Sequence, residues 1–285
     1  MPRGLTQVRF DPEYDNTKFS EWGLIARSLG LQIFSLAFIL FLLLFVFLGY
    51  RHFSTFLILT LYFYLPVFFI FYFHYRDVAV RLFIQRFAEL NELHYERTGF
   101  LGTVSGKLFS IGDKRSIRNV VTSFFGDNPT RFFNYKYSRG FGRTIKVYRF
   151  TIWETKFRKV EFPHILLQSK KMPRFGKKAK NETKVSLKGN LDDSFRLYVA
   201  RGYEIEVLQI FTPEVLQMLC DKSSEFSIEF AGNSMYIYDN TVVKNNKQLK
   251  ELFDVARGIF DSAGPLINRL DDDFNVLHEQ YGGRG

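Results

Sequence analysis

Residues 29–49 read LGLQIFSLAFILFLLLFVFLG, and residues 53–73 read FSTFLILTLYFYLPVFFIFYF. Each run is 21 residues long and carries no charged side chain. A helix rises ~1.5 Å per residue, so each run reaches roughly 30 Å, the depth of a bilayer's hydrocarbon core. Only Tyr50, Arg51 and His52 lie between them. This pattern predicts a transmembrane helical hairpin over 29–75, with spans at 29–49 and 53–73. A buried hairpin in a soluble core would need more apolar surface than the rest of the chain offers. A cleaved signal peptide would begin earlier and would not be followed at once by a second run. Pro66 is tolerable inside a span, and Trp22, Tyr50, Tyr72 and Tyr75 flank the runs as interfacial aromatics do.

The flanking charges orient this hairpin. Arg3, Arg9, Lys18 and Arg27 precede the first run, Arg76, Arg81 and Arg86 follow the second, and Arg51 stands alone in the turn. Lys and Arg collect on the cytoplasmic side, which predicts a multi-pass protein of the cell (inner) membrane with both termini cytoplasmic. The lipid bilayer is then its first partner. On that topology the sequon Asn181-Glu182-Thr183 never meets the glycosylation machinery.

The remainder divides by its periodicity. Residues 1–28 are a cytoplasmic N-terminal segment. Residues 76–99 carry Val80, Phe83, Phe87 and Leu90 at helical spacing, which predicts a juxtamembrane helix ended by Thr98-Gly99. Residues 100–280 read as a cytoplasmic domain, with a basic loop at 169–183 and a disordered tail at 281–285. Within it, strands are predicted at 144–155, 162–168, 184–188 and 195–200, and a hairpin at 226–230 and 235–238 across AGNS. Thr212-Pro213-Glu214 supplies a cap, a first-turn proline and an acidic residue for a helix to about residue 222. A second helix is predicted at 246–261 and a third at 265–279. Strands and helices without regular alternation give the fold class: an α+β cytoplasmic domain attached to an N-terminal two-helix transmembrane hairpin.

Charge is unevenly distributed along the chain, whose net is +10. Between Arg131 and Lys180, fifteen Lys or Arg face two glutamates, a net of +13; from Asp192 onward the net is −7. The densest point is KKMPRFGKKAK, residues 170–180, which carries Lys170, Lys171, Arg174, Lys177, Lys178 and Lys180 and no acid. Each Lys or Arg near an anionic bilayer contributes ~1 kcal/mol, so six could dock the loop on phospholipid head groups. A solvated loop and pairing with the acidic C-terminal part remain open readings. Arg131-Phe132-Phe133-Asn134-Tyr135-Lys136-Tyr137 interleaves base and aromatic as single-strand binders do. Without an RRM, KH or helix-turn-helix signature, nucleic acid is disfavoured. A homo-oligomer or a protein partner is compatible with the sequence.

No catalytic, metal or cofactor motif emerges. The five histidines form no i,i+3 or i,i+4 pair and no HExxH occurs. His164, in a strand, reads as a structural histidine, and Cys220, the single cysteine, as a core residue. SRGFGRT, residues 138–144, lacks phosphate-loop spacing and reads as a basic turn. Asp271-Asp272-Asp273 point three ways on a helix and do not converge on an ion.

One segment carries a resemblance. LKGNLDDSFRLYVARGYEIEVLQIFTPEVLQML followed by FSIEFAGNSMYIY, within 187–238, resembles an uncharacterised bacterial membrane-protein family, the domain of unknown function numbered 3137. Phe195, Tyr198, Glu204, Phe211-Thr212-Pro213 and Leu219 match its pattern, and Phe162-Pro163-His164-Ile165 belongs with them. The resemblance covers about a third of the chain. It implies two N-terminal spans followed by an α+β domain, and it supplies no activity. The expectation is a membrane-anchored cytoplasmic binding or scaffolding module, not an enzyme. An enzyme acting on a lipid or phosphorylated substrate at the membrane surface is the alternative, to be signalled by His164 beside a carboxylate such as Glu161 or Glu204.

Overall fold

A computed structural model describes residues 8–10, 77–158, 160–175, 181–187, 191–221 and 225–261, and eight scattered positions between 35 and 69. Its centre is a single nine-stranded sheet, antiparallel at every pairing. The strands are β1 (His94–Gly99), β2 (Asp113–Phe125), β3 (Asn128–Arg139), β4 (Lys146–Lys156), β5 (Phe162–Ser169), β6 (Glu182–Val185), β7 (Phe195–Ala200), β8 (Phe226–Gly232) and β9 (Ser234–Asp239). Their order across the sheet is β1-β2-β3-β4-β9-β8-β5-β7-β6.

Both faces of the sheet are buried. One face carries Val121, Phe132, Trp153, Ile237, Ile228, Leu167 and Leu197, and two helices lie on it, residues 77–90 and 246–261. The first helix contributes Phe83 and Phe87, and the second Leu249, Leu252 and Phe253. Phe87, Phe132 and Trp153 each meet the Phe253 ring at 5.0 to 6.0 Å. Phe10 packs on Phe87 and Phe253 as well, and the Asn91 side chain fixes Arg9 by hydrogen bonds at both its N–H and its carbonyl. The opposite face is a layer of aromatics: Phe133, Tyr135, Tyr137, Phe150, Tyr236 and Tyr238. Short turns at Leu101–Thr103 and Lys107–Ser110 cover it, as do Met172 and Phe175. A strand buried on both faces reads as a continuous apolar or aromatic run, not an alternating one.

These findings correct the expected fold class. The described structure is predominantly a nine-stranded antiparallel sheet with few helices, not an α+β domain carried on a transmembrane hairpin. The strands expected around 144–155, 162–168, 195–200, 226–230 and 235–238 are present, as are the helices at Pro213–Asp221 and 246–261, while the strand expected at 184–188 lies earlier, as β6 at Glu182–Val185. The error lies in 94–139, where β1, β2 and β3 went unread. DKRSIRNVV opens β2 with charges, and β2 is interrupted by two register shifts, at Asp113/Ser116 and Arg118/Val121. Each shift breaks the period of two by which a strand is recognised. The expected juxtamembrane helix ends at residue 90, and His94–Gly99 is strand β1 instead.

The two runs 29–49 and 53–73 lie outside the described residues except at scattered helical positions. The helix expected at 265–279 and the tail lie outside them entirely. Among the described residues no helix is long and apolar enough to cross a membrane. The integral, multi-pass inner-membrane placement is corrected on that finding. Run length states what a helix could span, not that it does.

Candidate anion-binding cleft

The sheet register assembles a site that no local spacing announces. Directly opposed residues on neighbouring strands present their side chains to the same face. One row across the sheet is Thr98, Arg118, Asn134, Thr151 and Asp239. The next row outward is Ser116, Lys136 and Arg149. Both rows belong to the face of Phe132 and Trp153, beyond the apolar layer. Where Phe and Trp give way to Arg and Lys, the helix 77–90 begins, and Asp77 and Arg81 close the site from above. The result is a cleft of about 550 Å³.

Five cations line this cleft, namely Arg81, Arg97, Arg118, Lys136 and Arg149, against one carboxylate, Asp77. They come from five different elements. Hydrogen-bonding side chains complete the lining: Thr98, Ser116, Asn119 and Asn134. Asn119 sits in the second β2 bulge with φ of 52°, a left-handed conformation that Asn tolerates better than most residues. Its carboxamide oxygen accepts a hydrogen bond from Tyr95 Oη at 2.9 Å. Burial raises the Tyr95 phenol above its ordinary pKa, against the pull of Arg81 and Arg97. The Asn134 oxygen accepts from Thr151 Oγ1 at 3.2 Å. Guanidinium and amide groups around one space have the chemistry to pair with a phosphate or carboxylate.

The far face holds a second polar group of residues, of another character. His164 Nε2 is 2.6 Å from Glu229 Oε1, and its Nδ1 is 3.0 Å from Glu182 Oε1. Lys107 Nζ donates to both Glu182 oxygens, at 3.0 and 2.9 Å, while the Lys107 backbone N–H donates to Glu229 Oε1 at 2.6 Å. Tyr238 donates to Glu229 Oε2 at 2.5 Å. Burial, then the Glu229 charge, holds the Tyr238 phenol well above its ordinary pKa. Next to it, Arg131 pairs with Glu154, which also accepts from Tyr236 Oη at 3.2 Å. His164 thus meets two carboxylates, but not Glu161 or Glu204. Glu161 is exposed, and Glu204 accepts from the Gly202 N–H. His164 Nε2 pairs with Glu229, its Nδ1 lies near Glu182 without a hydrogen bond, and the residue does not line the cleft. Among the described residues no group of three or more His, Cys, Asp or Glu could hold a metal ion.

The basic loop divides around its own core residues. Lys170, Lys171 and Arg174 are exposed, while Met172 and Phe175 between and after them are buried against the aromatic face. Phe175 packs edge-on to Tyr238 at 5.2 Å and to Phe150 at 6.4 Å. Lys177, Lys178 and Lys180 lie outside the described residues. Lys170, Lys171 and Arg174 do not line the cleft. Sequence reading noted Lys136 and Arg149 only as parts of a basic stretch, and missed Arg97 and Arg118. No signal in the linear sequence joins residues that register alone brings side by side. The residues that carry the family resemblance are packing positions: Phe195, Phe211 and Leu219 are buried, and Thr212 caps the helix that begins at Pro213.

No family model and no curated protein matches this chain. Among solved structures, the chain is similar to the crystal structure of the mycobacterial trehalose monomycolate transport factor A, TtfA. The identity is 14% and the TM-score 0.49, over 65% of this chain and 94% of that one.

Proposed function

We propose that this protein is a binding module for anionic phospholipid, and that its cleft receives the phosphate of the head group. The observation that supports this reading is the cleft itself, where five Lys and Arg converge against one carboxylate. Lys170, Lys171 and Arg174 add charge near the same end of the sheet. The Ser169 N–H donates to Ser227 Oγ, Ser227 pairs with Tyr238, and Tyr238 pairs with Ile152, next to Thr151 of the cleft row. The resemblance to the domain of unknown function numbered 3137 stands beside this as a proposal of kinship and lends it no activity.

The test uses the full chain and glycerophosphoglycerol, the deacylated head group of phosphatidylglycerol, with glycerol as the uncharged control. Binding is read by calorimetry for the parent and for Arg118→Gln combined with Lys136→Gln. A hydrogen bond to a charged group is worth ~1.5–3 kcal/mol, so each lost cation weakens binding by roughly tenfold or more. Equal affinity in the parent and the double variant would refute the assignment of the cleft.

A further inference from the structure

At the outer end of the sheet, β3 and β4 continue beyond the cleft rows as a hairpin. Its strands end at the pair Arg139 and Lys146, and its turn is Gly140-Phe141-Gly142-Arg143-Thr144-Ile145. The Phe141 side chain stands 92% exposed, the most of any large apolar residue described. Ile145 and Val147 beside it are 47% and 49% exposed. An exposed apolar cluster needs a reason, because water gains nothing from it. The turn is firmly built. Thr144 donates to the Phe141 carbonyl from both its N–H, at 3.2 Å, and its hydroxyl, at 2.8 Å. Gly140 and Gly142 adopt φ of 115° and 58°, which other residues rarely enter. The backbone therefore holds Phe141 outward instead of letting it fold onto the sheet.

The chemistry around the tip is one-sided. Arg139, Arg143 and Lys146 surround the apolar residues, all exposed, with Lys114 of the adjoining β2 end beside Asp113, the one acid there. We infer that this hairpin tip is a membrane-docking loop, in which Phe141, Ile145 and Val147 enter the interface of an anionic bilayer beneath a cationic collar. An anionic bilayer answers both features at once, burying the aromatic point and pairing the cationic collar. The spacing fits as well. The cleft pair Lys136 and Arg149 stands three residues back from Arg139 and Lys146, about 10 Å along the strands. Interfacial apolar groups sit roughly 5–10 Å into the head-group boundary, so the cleft would open at head-group height. The inference rests on the reading of the cleft as a head-group site and adds to it the mode of approach.

The experiment places a tryptophan at the tip of the full chain, Phe141→Trp. Emission is compared with the parent, so that Trp22 and Trp153 cancel. Vesicles are phosphatidylcholine with or without phosphatidylglycerol, and a second set carries brominated acyl chains. The expected result is a blue shift and bromine quenching of the added tryptophan, dependent on phosphatidylglycerol and reversed by salt. Phe141→Asp should weaken docking by roughly 10- to 100-fold, the worth of one buried Phe. Arg139→Gln, Arg143→Gln and Lys146→Gln together should weaken it by about a hundredfold, at ~5-fold per charge. Both sets of variants should bind glycerophosphoglycerol as the parent does. That separates failure of the tip from failure of the cleft. An added tryptophan that is neither shifted nor quenched on anionic vesicles would overturn the inference and leave the tip to a protein partner. Equal docking by Phe141→Asp would overturn it too.

Discussion

Asp239 closes the row of residues that crosses the sheet from the cleft, and it is 4% exposed. Burial pushes its carboxyl up to about 6, with Glu225 and Glu251 adding to the rise. The Thr241 hydroxyl and N–H, which donate to Oδ1 at 2.8 and 2.9 Å, oppose the rise without cancelling it. The unfolded carboxyl titrates near 3.8. The native state therefore binds this proton more tightly than the unfolded chain does. Its contribution to stability is fully present below about pH 4 and is lost as pH rises through about 6. A difference of about two pKa units corresponds to ~3 kcal/mol at neutral pH. Asp239→Asn keeps an acceptor for Thr241 and carries no charge. The variant should be more stable than the parent by up to ~3 kcal/mol at neutral pH, with the difference closing towards about pH 4. Urea unfolding at several pH values, followed by Trp153 fluorescence, measures it. Trp153 lies under the Phe253 and Phe125 rings and reports the loss of this layer. A variant less stable than the parent at neutral pH, or a difference that does not change with pH, would refute the reasoning. It would mean that the hydrogen bonds to the carboxylate outweigh its burial, so that its native pKa is not raised.

Glu229 is fully buried and accepts from Tyr238 and the Lys107 N–H while facing His164, so Glu229→Ala should cost ~3–5 kcal/mol in thermal or urea unfolding. Glu229→Gln, which keeps the acceptor, should cost less. Trp153→Ala removes a fully buried indole whose N–H donates to Thr155 Oγ1 at 2.9 Å, and should cost ~3–5 kcal/mol by the same assay. Phe141→Asp should leave unfolding within ~0.5 kcal/mol of the parent, because its side chain touches little of the fold. Tyr135 and Tyr137 should titrate at about 12, held up first by burial, and alkaline absorbance titration should show phenols deprotonating in that range.

Elements whose signal is local were legible in the sequence. Pro213 and Thr212 fixed one helix start, and the 3.6-residue recurrence of Leu249, Leu252, Phe253, Ala256 and Ile259 fixed the helix at 246–261. The AGNS turn fixed the β8–β9 hairpin, and FRLYVA marked β7 in full. Local signals failed where geometry departs from the period. The bulges at Asp113/Ser116 and Arg118/Val121 shift β2 out of alternation, so a strand of 13 residues went unread. The two long apolar runs misdirected the fold class, since hydropathy reports what a segment could bury and not what buries it.

Composition alone determined that this chain is rich in aromatics, carries its excess positive charge in one middle segment, and lacks the motifs of metal or nucleophilic chemistry. The sequence also places Gly on both sides of Phe141, and so the turn that holds the ring outward. Only the tertiary structure decided which cations meet. Arg81, Arg97, Arg118, Lys136 and Arg149 are separated by 13 to 21 residues at each step, and they share a cleft because one helix and four strands align in a particular register. A slip of one residue would turn the strand cations to the opposite face. That register is set by bulges and by the burial of Phe132 and Trp153 one turn of the pleat away, long-range packing that a linear pattern does not contain.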